Sequence, residues 1–292
     1  MHPRAAAATT TALLGAAALL VPAPHHRAEA AAAERPAVIA HRGASAYAPE
    51  NTLSAVDKAA ELGVEWVEND VQRTKDGELV VIHDDSLQRT TDAEAVFPGR
   101  APWKVKDFTA AEIARLDAGS WFDPAYAGAR VPTLKEYMHR VESHHQKLLL
   151  EIKKPELYPG IEQDTLKVLA NEGWLDQRHE TDRLVVQSFS VDSLRTVHEL
   201  RPGVRTGFLG TPPVAMLPRY ARFLDQINPP YTSLHTGYVL TVHAFTGAHG
   251  RQLRVSAWTV DSADTARTVA SYGVDGIITN RPDLVRDALD GG

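Results

Sequence analysis

Short apolar runs recur along the chain after residue 35, and segments with helical spacing of their apolar residues separate them. The runs cover residues 37–41, 65–71, 78–84, 147–153, 183–189, 204–210, 253–260 and 275–280, with a weaker one near 231–235. Continuous apolar strands that alternate with helices are typical of a parallel sheet covered by helices. Eight or nine such strands favour a (β/α)8 TIM barrel over a doubly wound sheet.

Two of the intervening segments have clear helix boundaries. One begins at Thr52 and ends before Gly63, and the other begins at Ser262 and ends before Gly273. Serine and threonine commonly cap the start of a helix, and glycine commonly follows its end. A third helix is predicted from about residue 133 to residue 144. We expect these amphipathic helices to cover the outside of the sheet.

One interval breaks the alternation of strands and helices. More than 60 residues separate His83 from the next clear strand at Lys147, which is far longer than an ordinary connection. We interpret residues 86–131 as a small insertion at the mouth of the barrel, after the third strand. Because such barrels take about 250 residues, residues 31–292 then form a single barrel domain.

The first 30 residues differ in composition from the rest of the chain. Arg4 is followed by an alanine-rich apolar run that ends at Val21, and Ala28, Glu29 and Ala30 fit a small-x-small cleavage site. This pattern is typical of a secretory signal peptide, predicted here over residues 1–30. The apolar run is too short for a stable membrane span. We therefore expect the mature protein to be secreted.

Charge and cysteine content narrow the function classes further. The net charge of −6 and the pI near 6.1 give no basic footprint, so we expect no nucleic-acid partner. The chain has no cysteine, which excludes disulfides and lipid attachment through a thiol. An anionic ligand would require positive charge that is clustered locally.

Polar residues collect at the carboxyl ends of the apolar runs. In a parallel barrel these ends meet at one face, where catalytic residues lie, whereas chance would scatter polar residues along the strands. The residues in question are His41, Arg42, Glu68, Asp70, His83, Asp84, Glu151, Lys153, Gln187, Ser188, Trp258, Asp261 and Asn280.

Three of these residues, Glu68, Asp70 and Glu151, are carboxylates on neighbouring strands. Carboxylate oxygens without a nearby cysteine suit Ca²⁺ or Mg²⁺ rather than zinc. Each acid alone could be structural, and Glu151 could simply pair with Lys153. Together the three acids predict a site for one divalent cation, with Ca²⁺ favoured because an exported protein meets abundant calcium, and Mg²⁺ as the alternative.

His41 and His83 end two different runs and face the same predicted mouth. Imidazole titrates near neutral pH, so two histidines beside a cation predict a general acid and a general base. Arg42 and Lys153 add fixed positive charge that suits a phosphate group. This set is what phosphodiester cleavage requires. Which histidine is the acid stays open at this point.

Several segments, among them "AHRGASAYAPENT", "EWVENDVQ", "VVIHDD", "LLLEIKKP", "VVQSFS" and "SAWTVDS", resemble the glycerophosphodiester phosphodiesterases. These are barrel enzymes related to phosphatidylinositol-specific phospholipases C, and the resemblance covers residues 36–289. It implies hydrolysis of small glycerophosphodiesters to sn-glycerol 3-phosphate and an alcohol. It also implies catalytic roles for His41 and His83, metal binding by Glu68, Asp70 and Glu151, and substrate binding by Arg42, Lys153, Gln187, Phe189 and Trp258.

Two positions depart from the pattern of that family. Asn69 stands between the two acids of the second run, where the family usually has an apolar or small residue, and Arg73 stands where leucine is common. Side chains alternate along a strand, so Asn69 should point away from the site. The departure therefore bears on packing outside the second strand.

Other functions of the same superfamily stay open. A lysophospholipase D-like activity would need an apolar surface at the mouth, which Trp121, Phe122 and Tyr126 in the insertion could supply. The glycerol-phosphate chain of a teichoic acid is another substrate that an exported enzyme would meet. A non-enzymatic alternative is a barrel that only binds metal or phosphate.

Overall fold

The computed structural model describes residues 1–2 and 35–291. The predicted signal peptide, residues 1–30, lies outside the described residues except for its first two positions. The strands are β1 (Ala37–Ala40), β2 (Trp66–Arg73), β3 (Leu79–Val81), β4 (Lys147–Ile152), β5 (Leu184–Ser188), β6 (Arg205–Leu209), β7 (Gln226–Asn228), β8 (Arg254–Ala257) and β9 (Gly276–Thr279). The helices are α1 (Leu53–Glu61), α2 (Ala93–Val96), α3 (Ala110–Ile113), α4 (Leu134–Ser143), α5 (Ile161–Asn171), α6 (Val191–Leu200), α7 (Leu217–Tyr220), α8 (Thr236–His243), α9 (Ala263–Ser271) and α10 (Pro282–Asp290).

Eight parallel strands close into a barrel. The order around it is β1, β2, β4, β5, β6, β7, β8 and β9, and β9 pairs with β1 again through Ile39 and Ile278. Side chains of alternate residues meet inside the barrel, where Ile39, Leu149, Val185 and Ile278 form a small apolar cluster. Larger clusters lie between the sheet and the surrounding helices. The prediction of a (β/α)8 barrel is confirmed.

The third strand differs from the prediction that all runs lie parallel. β3 is antiparallel to β2 and pairs Val81 with Val71 and Leu79 with Arg73, beyond the point where β1 ends. β3 is therefore not one of the eight barrel strands. Because it runs back towards the barrel, the chain reaches the mouth again at His83.

The weak run predicted near residues 231–235 is not a strand. β7 lies earlier, at Gln226–Asn228, and Tyr231–Ser233 forms a 3₁₀ turn. The apolar signal that suggested a strand comes partly from Leu234, which is buried against the neighbouring helices. β7 has only three residues, which is too few to show a clear alternation of apolar and polar positions in the sequence.

The predicted helix boundaries are confirmed at α1, α4 and α9. Thr52, Thr133 and Ser262 each accept a hydrogen bond from a backbone N–H in the first turn of the helix that follows. The segment between β3 and α4 buries its own cluster, which includes Leu87, Phe108 and Leu116, together with Val80 and Ile82 around β3. Among the described residues, no helix has the length and apolar character needed to cross a membrane.

Candidate active site

The three predicted carboxylates come together at the mouth of the barrel. Glu68 and Asp70 project inward from β2, and Glu151 projects inward from the neighbouring β4, where it is the register partner of Asp70. One oxygen atom of each lies within 4.8 Å of the other two, and all three side chains are buried. Like charges at this distance repel strongly in a region that water does not reach. The site therefore needs positive charge.

Two fixed cations supply part of that charge. Lys153 Nζ lies 2.7 Å from Glu151 Oε1 and 3.5 Å from Asp70 Oδ1, and Arg42 Nε lies 3.4 Å from Asp70 Oδ2. Burial acts to raise the pKa of Asp70, but Lys153 and Arg42 outweigh it and hold that pKa below its ordinary value. Three acids against two cations leave one negative charge uncompensated.

The uncompensated charge falls on the other two acids. Burial, with the charge of Asp70 beside it, raises the pKa of Glu151 to about 8. Burial and Asp70 also raise the pKa of Glu68 well above its ordinary value. Both carboxyl groups thus favour a proton unless a further cation is present.

The donor set fits a divalent cation. Asp70 Oδ1 and Glu151 Oε1 are buried without a well-aligned hydrogen bond among the described residues. The spread of 4.8 Å between oxygens matches a central ion with oxygen ligands at about 2.3–2.6 Å. All three donors are hard oxygens, which suit Ca²⁺ or Mg²⁺. The acidic triad can therefore hold a metal ion.

The loop after β1 holds Glu68 through the backbone. Arg42 has a left-handed conformation with φ of 56°, and its N–H donates to Glu68 Oε2 at 2.9 Å. Gly43 follows with φ of 78°, and a Cβ there would lie 2.6 Å from the backbone of Ala55. Only glycine allows this close approach to the first turn of α1. This accounts for glycine in the H-R-G sequence.

Asn51 of the P-E-N-T sequence holds the second acid. Its Nδ2 donates to Asp70 Oδ2 at 2.7 Å, and its Oδ1 accepts from Asp70 N at 3.3 Å. Asn51 has φ of 60°, so the backbone is strained to make these contacts. Thr52 caps α1, so neighbouring residues of this motif contact Asp70 and begin the helix.

The orientation of His41 follows from its partner Asn280. Asn280 Nδ2 lies 2.7 Å from Asp261 Oδ2, which can only accept a hydrogen bond, so Asn280 Oδ1 must face His41. His41 Nδ1 lies 2.7 Å from that oxygen and therefore carries the proton. Nε2 is left as the free nitrogen. Burial, with Arg42 adjacent, lowers the pKa of His41 to about 4.

His83 has a charged partner instead. Its Nδ1 lies 2.7 Å from Asp84 Oδ1, and Asp84 Oδ2 in turn accepts from Arg89 Nε at 2.6 Å. Arg89 also donates to both oxygens of Glu50, and Glu50 accepts from Arg42. Asp84, Arg89 and Glu50 thus connect His83 to Arg42 through a chain of hydrogen bonds. Burial lowers the pKa of His83, and Asp70 and Asp84 act in the opposite direction.

A cavity of about 90 Å³ opens over these groups. Gln187 borders it and donates to Glu68 Oε1 at 3.4 Å, while Asn228 Nδ2 donates to Gln187 Oε1 at 3.0 Å. Phe189 and Trp258 meet edge to face, with ring centroids 5.7 Å apart, and Phe189 is 53% exposed. Of the residues predicted for the site, the cavity is lined by His41, Arg42, Glu68, His83, Glu151, Lys153, Gln187, Phe189 and Trp258, and Asp70 lies directly behind it.

The two departures noted in the sequence lie elsewhere. Arg73 extends from the end of β2 and pairs with Asp164 on α5 at 2.6 Å. Asn69 is fully buried, and neither atom of its amide has a hydrogen-bond partner among residues 35–291. The structure gives no physical account of an unpaired amide at this position.

Residues 41–284 match the Glycerophosphoryl diester phosphodiesterase family. The chain belongs to this family. With its named relatives, membership identifies the chain as a phosphoric diester hydrolase. Two similar proteins are named glycerophosphodiester phosphodiesterase. The one from Bacillus subtilis is 34% identical over 88% of this chain and 88% of its own length, and the one from Caldanaerobacter subterraneus is 37% identical over 85% and 95%.

Solved structures of the family are similar as well. A phosphodiesterase from Oleispira antarctica, whose structure is a complex with the product sn-glycerol-3-phosphate, aligns with a TM-score of 0.74 and 30% identity over 88% of this chain and 97% of that one. A glycerophosphodiester phosphodiesterase from Agrobacterium tumefaciens aligns with a TM-score of 0.67 and 25% identity over 86% of this chain and 99% of that one. The glycerophosphodiester phosphodiesterase function is supported by these relatives.

Sequence reasoning did not assign several residues of the phosphodiesterase site. Asn228 was missed because β7 was placed too late in the chain, and Arg89 because it lies in the long segment after β3, where no periodicity marks it. Asn280 was noted at the end of the last run but received no role. Its position, next to His41 on the neighbouring strand of a closed barrel, was the available signal.

Proposed function

We propose that this chain is a secreted, metal-dependent phosphodiesterase that hydrolyses glycerophosphodiesters to sn-glycerol 3-phosphate and an alcohol. The observation that carries the proposal is the meeting of a buried acidic triad and two histidines at one small cavity. The Oleispira antarctica relative, described with sn-glycerol-3-phosphate as its product, supports the choice of substrate class.

Charge balance supports a cation in this site. Glu68, Asp70 and Glu151 carry three negative charges when ionised, against the positive charges of Arg42 and Lys153. One divalent cation held by the three acids changes the sum from −1 to +1. A phosphodiester carries a single negative charge, so its binding would complete the balance. When bound, the cation supplies positive charge for the phosphate oxygens.

The partners of the two histidines suggest their roles. Asn280 is neutral and orients His41 with Nε2 as a free acceptor, which suits a base that takes the proton of the attacking hydroxyl. Asp84 is a carboxylate and stabilises a protonated His83, which suits an acid that delivers a proton to the leaving alcohol oxygen. The attacking hydroxyl belongs either to the glycerol of the substrate, which gives a cyclic phosphate first, or to water. In each case the phosphorus–oxygen bond to the alcohol breaks as that oxygen receives its proton.

The remaining residues would bind and orient the substrate. Arg42 and Lys153 border the cavity and would contact the phosphate oxygens, because both retain N–H donors beyond those used by the acids. Phe189 and Trp258 form an exposed apolar wall over the mouth and would contact the carbon atoms of the glycerol or the alcohol. Gln187 is fixed between Glu68 and Asn228 and would limit how deep the substrate enters.

Calcium remains the favoured cation because the leader sequence predicts export, and Mg²⁺ remains the alternative. Cleavage after Ala30 is the expected processing. Sequencing the amino terminus of protein recovered from the culture medium would test it, and a mature chain that still begins at Met1 would contradict it.

A lysophospholipase D-like activity is the second candidate. Trp121 is 39% exposed and could contact an acyl chain, but Phe122 and Tyr126 are half-buried and pack edge to face against one another. Tyr126 also donates to the backbone oxygen of Tyr47 at 2.8 Å, which holds this segment beside the mouth. A glycerol-phosphate polymer such as a teichoic acid is the third substrate to compare.

One substrate panel separates these candidates. Glycerophosphocholine, a lysophospholipid and a glycerol-phosphate polymer would each be offered to chelated protein with Ca²⁺ or Mg²⁺ added back. We expect the highest kcat/KM with glycerophosphocholine and release of sn-glycerol 3-phosphate. A His139→Ala variant, which replaces an exposed histidine on α4, is the matched control for variants of His41 and His83 and should behave as wild type. Preference for the lysophospholipid or the polymer would overturn the proposed substrate.

A further inference from the structure

A second cavity, of about 260 Å³, lies at the amino-terminal end of the barrel, away from the mouth. It is bordered by the first residues of three consecutive strands, Arg205 of β6, Gln226 of β7 and Arg254 of β8. Parallel strands begin at one end of a barrel and finish at the other, so this cavity and the phosphodiesterase site occupy opposite ends. The two cavities share no lining residue.

Three arginines line this second cavity, and their charges are poorly compensated. Within residues 35–291, neither Arg205 nor Arg251 lies within 4.0 Å of a carboxylate oxygen, and Arg254 reaches only Asp275, at 3.6 Å. Arg205 Nε is buried and has no hydrogen-bond partner in the same part of the chain. Its Nη2 makes one long contact, 3.4 Å, with the oxygen of Leu184. Each guanidinium group carries five N–H donors, so these arginines retain donors with which to bind a ligand.

The two acids that line the cavity are already engaged by other groups. Glu180 Oε1 accepts from Arg201 Nε at 2.7 Å. Asp225 Oδ1 lies 2.8 Å from His249 Nδ1, and its Oδ2 accepts from the backbone N–H of Thr206 at 3.0 Å. Glu180 is thus paired with Arg201, and Asp225 is the acid of the cavity lining that remains to offset the three arginines.

The positive charge is most costly at Arg205, which is half-buried, whereas Arg251 and Arg254 are exposed. Desolvation lowers the pKa of Arg205. Asp225 and Asp182 act in the opposite direction, and the nearby Arg254 and Arg251 lower that pKa further. Arginine stays charged in proteins even so, and a half-buried guanidinium group beside like charges, with no carboxylate in direct contact, destabilises the fold. An anion between the guanidinium groups would remove that cost.

We propose that this cavity binds a small phosphate-bearing anion, either inorganic phosphate or a phosphate monoester, through Arg205, Arg251 and Arg254. Guanidinium groups match the geometry of phosphate oxygens with paired hydrogen bonds. A phosphate monoester carries about two negative charges at neutral pH. It therefore balances the charge of the arginines more fully than a ligand with a single carboxylate group would. The volume is below the range usual for drug-sized ligands, so the anion is small. The proposal does not depend on the proposed function.

Isothermal titration calorimetry in Mg²⁺ buffer tests the site, with inorganic phosphate and sn-glycerol 3-phosphate as separate probes at constant ionic strength. We expect Arg205→Gln and Arg251→Gln each to weaken binding by about tenfold or more, the usual effect of losing a charged hydrogen bond. Arg222→Gln, at an exposed position just before β7 and outside the cavity, is the matched control and should bind as wild type. The relative affinity of the two probes identifies free phosphate or a monoester as the preferred ligand.

A Lys153→Ala variant separates this site from the phosphodiesterase site, where phosphate could also bind. We expect one binding event to survive in Lys153→Ala. Binding that disappears in Lys153→Ala and is unchanged in Arg251→Gln would overturn the proposal. Equal weakening in Arg222→Gln would also overturn it, because it would indicate general attraction of anions to this end. Arg251 is exposed, so its variant should fold even if Arg205→Gln does not.

Discussion

Replacing Glu151 by glutamine should change how the stability of the metal-free protein depends on pH. The pKa of Glu151 is raised from its ordinary 4.5 to about 8 by burial and by Asp70. Between these values the folded state holds a proton that the unfolded state has released. The free energy of unfolding therefore falls as pH rises, and the contribution of Glu151 to it is lost fully once pH exceeds the folded pKa.

The magnitude can be worked out for a window in which other groups change little. Above pH 6.5, His41 is neutral in the folded state, because its pKa there is about 4, and in the unfolded state, with its ordinary pKa of 6.5, it loses at most half a proton. From pH 6.5 to the folded pKa of about 8 is 1.5 units, and at about 1.4 kcal/mol per unit this gives a loss of about 2 kcal/mol by pH 9. Glu68, whose pKa is also raised, changes stability in the same direction.

The assay is urea unfolding followed by circular dichroism at pH 6.5 and pH 9, in the presence of a chelator. We expect the Glu151→Gln variant to lose about 2 kcal/mol less than wild type over this interval, since glutamine does not titrate. Exposed histidines contribute equally to both proteins and cancel in the difference. Added Ca²⁺ or Mg²⁺ should stabilise wild type more at pH 9 than at pH 6.5, because protons no longer compete for the carboxylates. Identical pH dependence in the two proteins would refute the reasoning.

Three further predictions concern turnover of glycerophosphocholine. His41→Gln and His83→Gln should each lower kcat by about 10²- to 10⁴-fold, as expected for loss of a general acid or base, and near wild-type kcat in either would contradict the assignment. Asn51→Ala removes both hydrogen bonds to Asp70 and should raise the dissociation constant for the cation by about tenfold, measured by the metal dependence of activity. Exhaustive chelation should abolish turnover, and either Ca²⁺ or Mg²⁺ should restore it. Persistent activity would mean that the acids are structural.

Strand position was predictable wherever the apolar run was clear in the sequence and failed at β7, where it was weak. The runs at residues 65–71 and 147–153 correspond to β2 and β4, because six and five consecutive buried positions leave a clear apolar signal. β7 has only three residues and was misplaced. The direction of β3 could not be read either, because alternation reports which face a side chain takes and says nothing about which strand lies alongside.

The sequence by itself determined the barrel class and which side chains face its interior. Two-residue periodicity places Glu68 with Asp70 and Glu151 with Lys153, and the carboxyl ends of parallel strands must meet at one mouth. Only the tertiary structure decided which side chains that lie far apart in the sequence contact one another. Asn280 orients His41 from 239 residues away, since closure of the barrel places β9 beside β1. Such contacts depend on strand pairing and loop conformation, and these are properties of the whole packed chain.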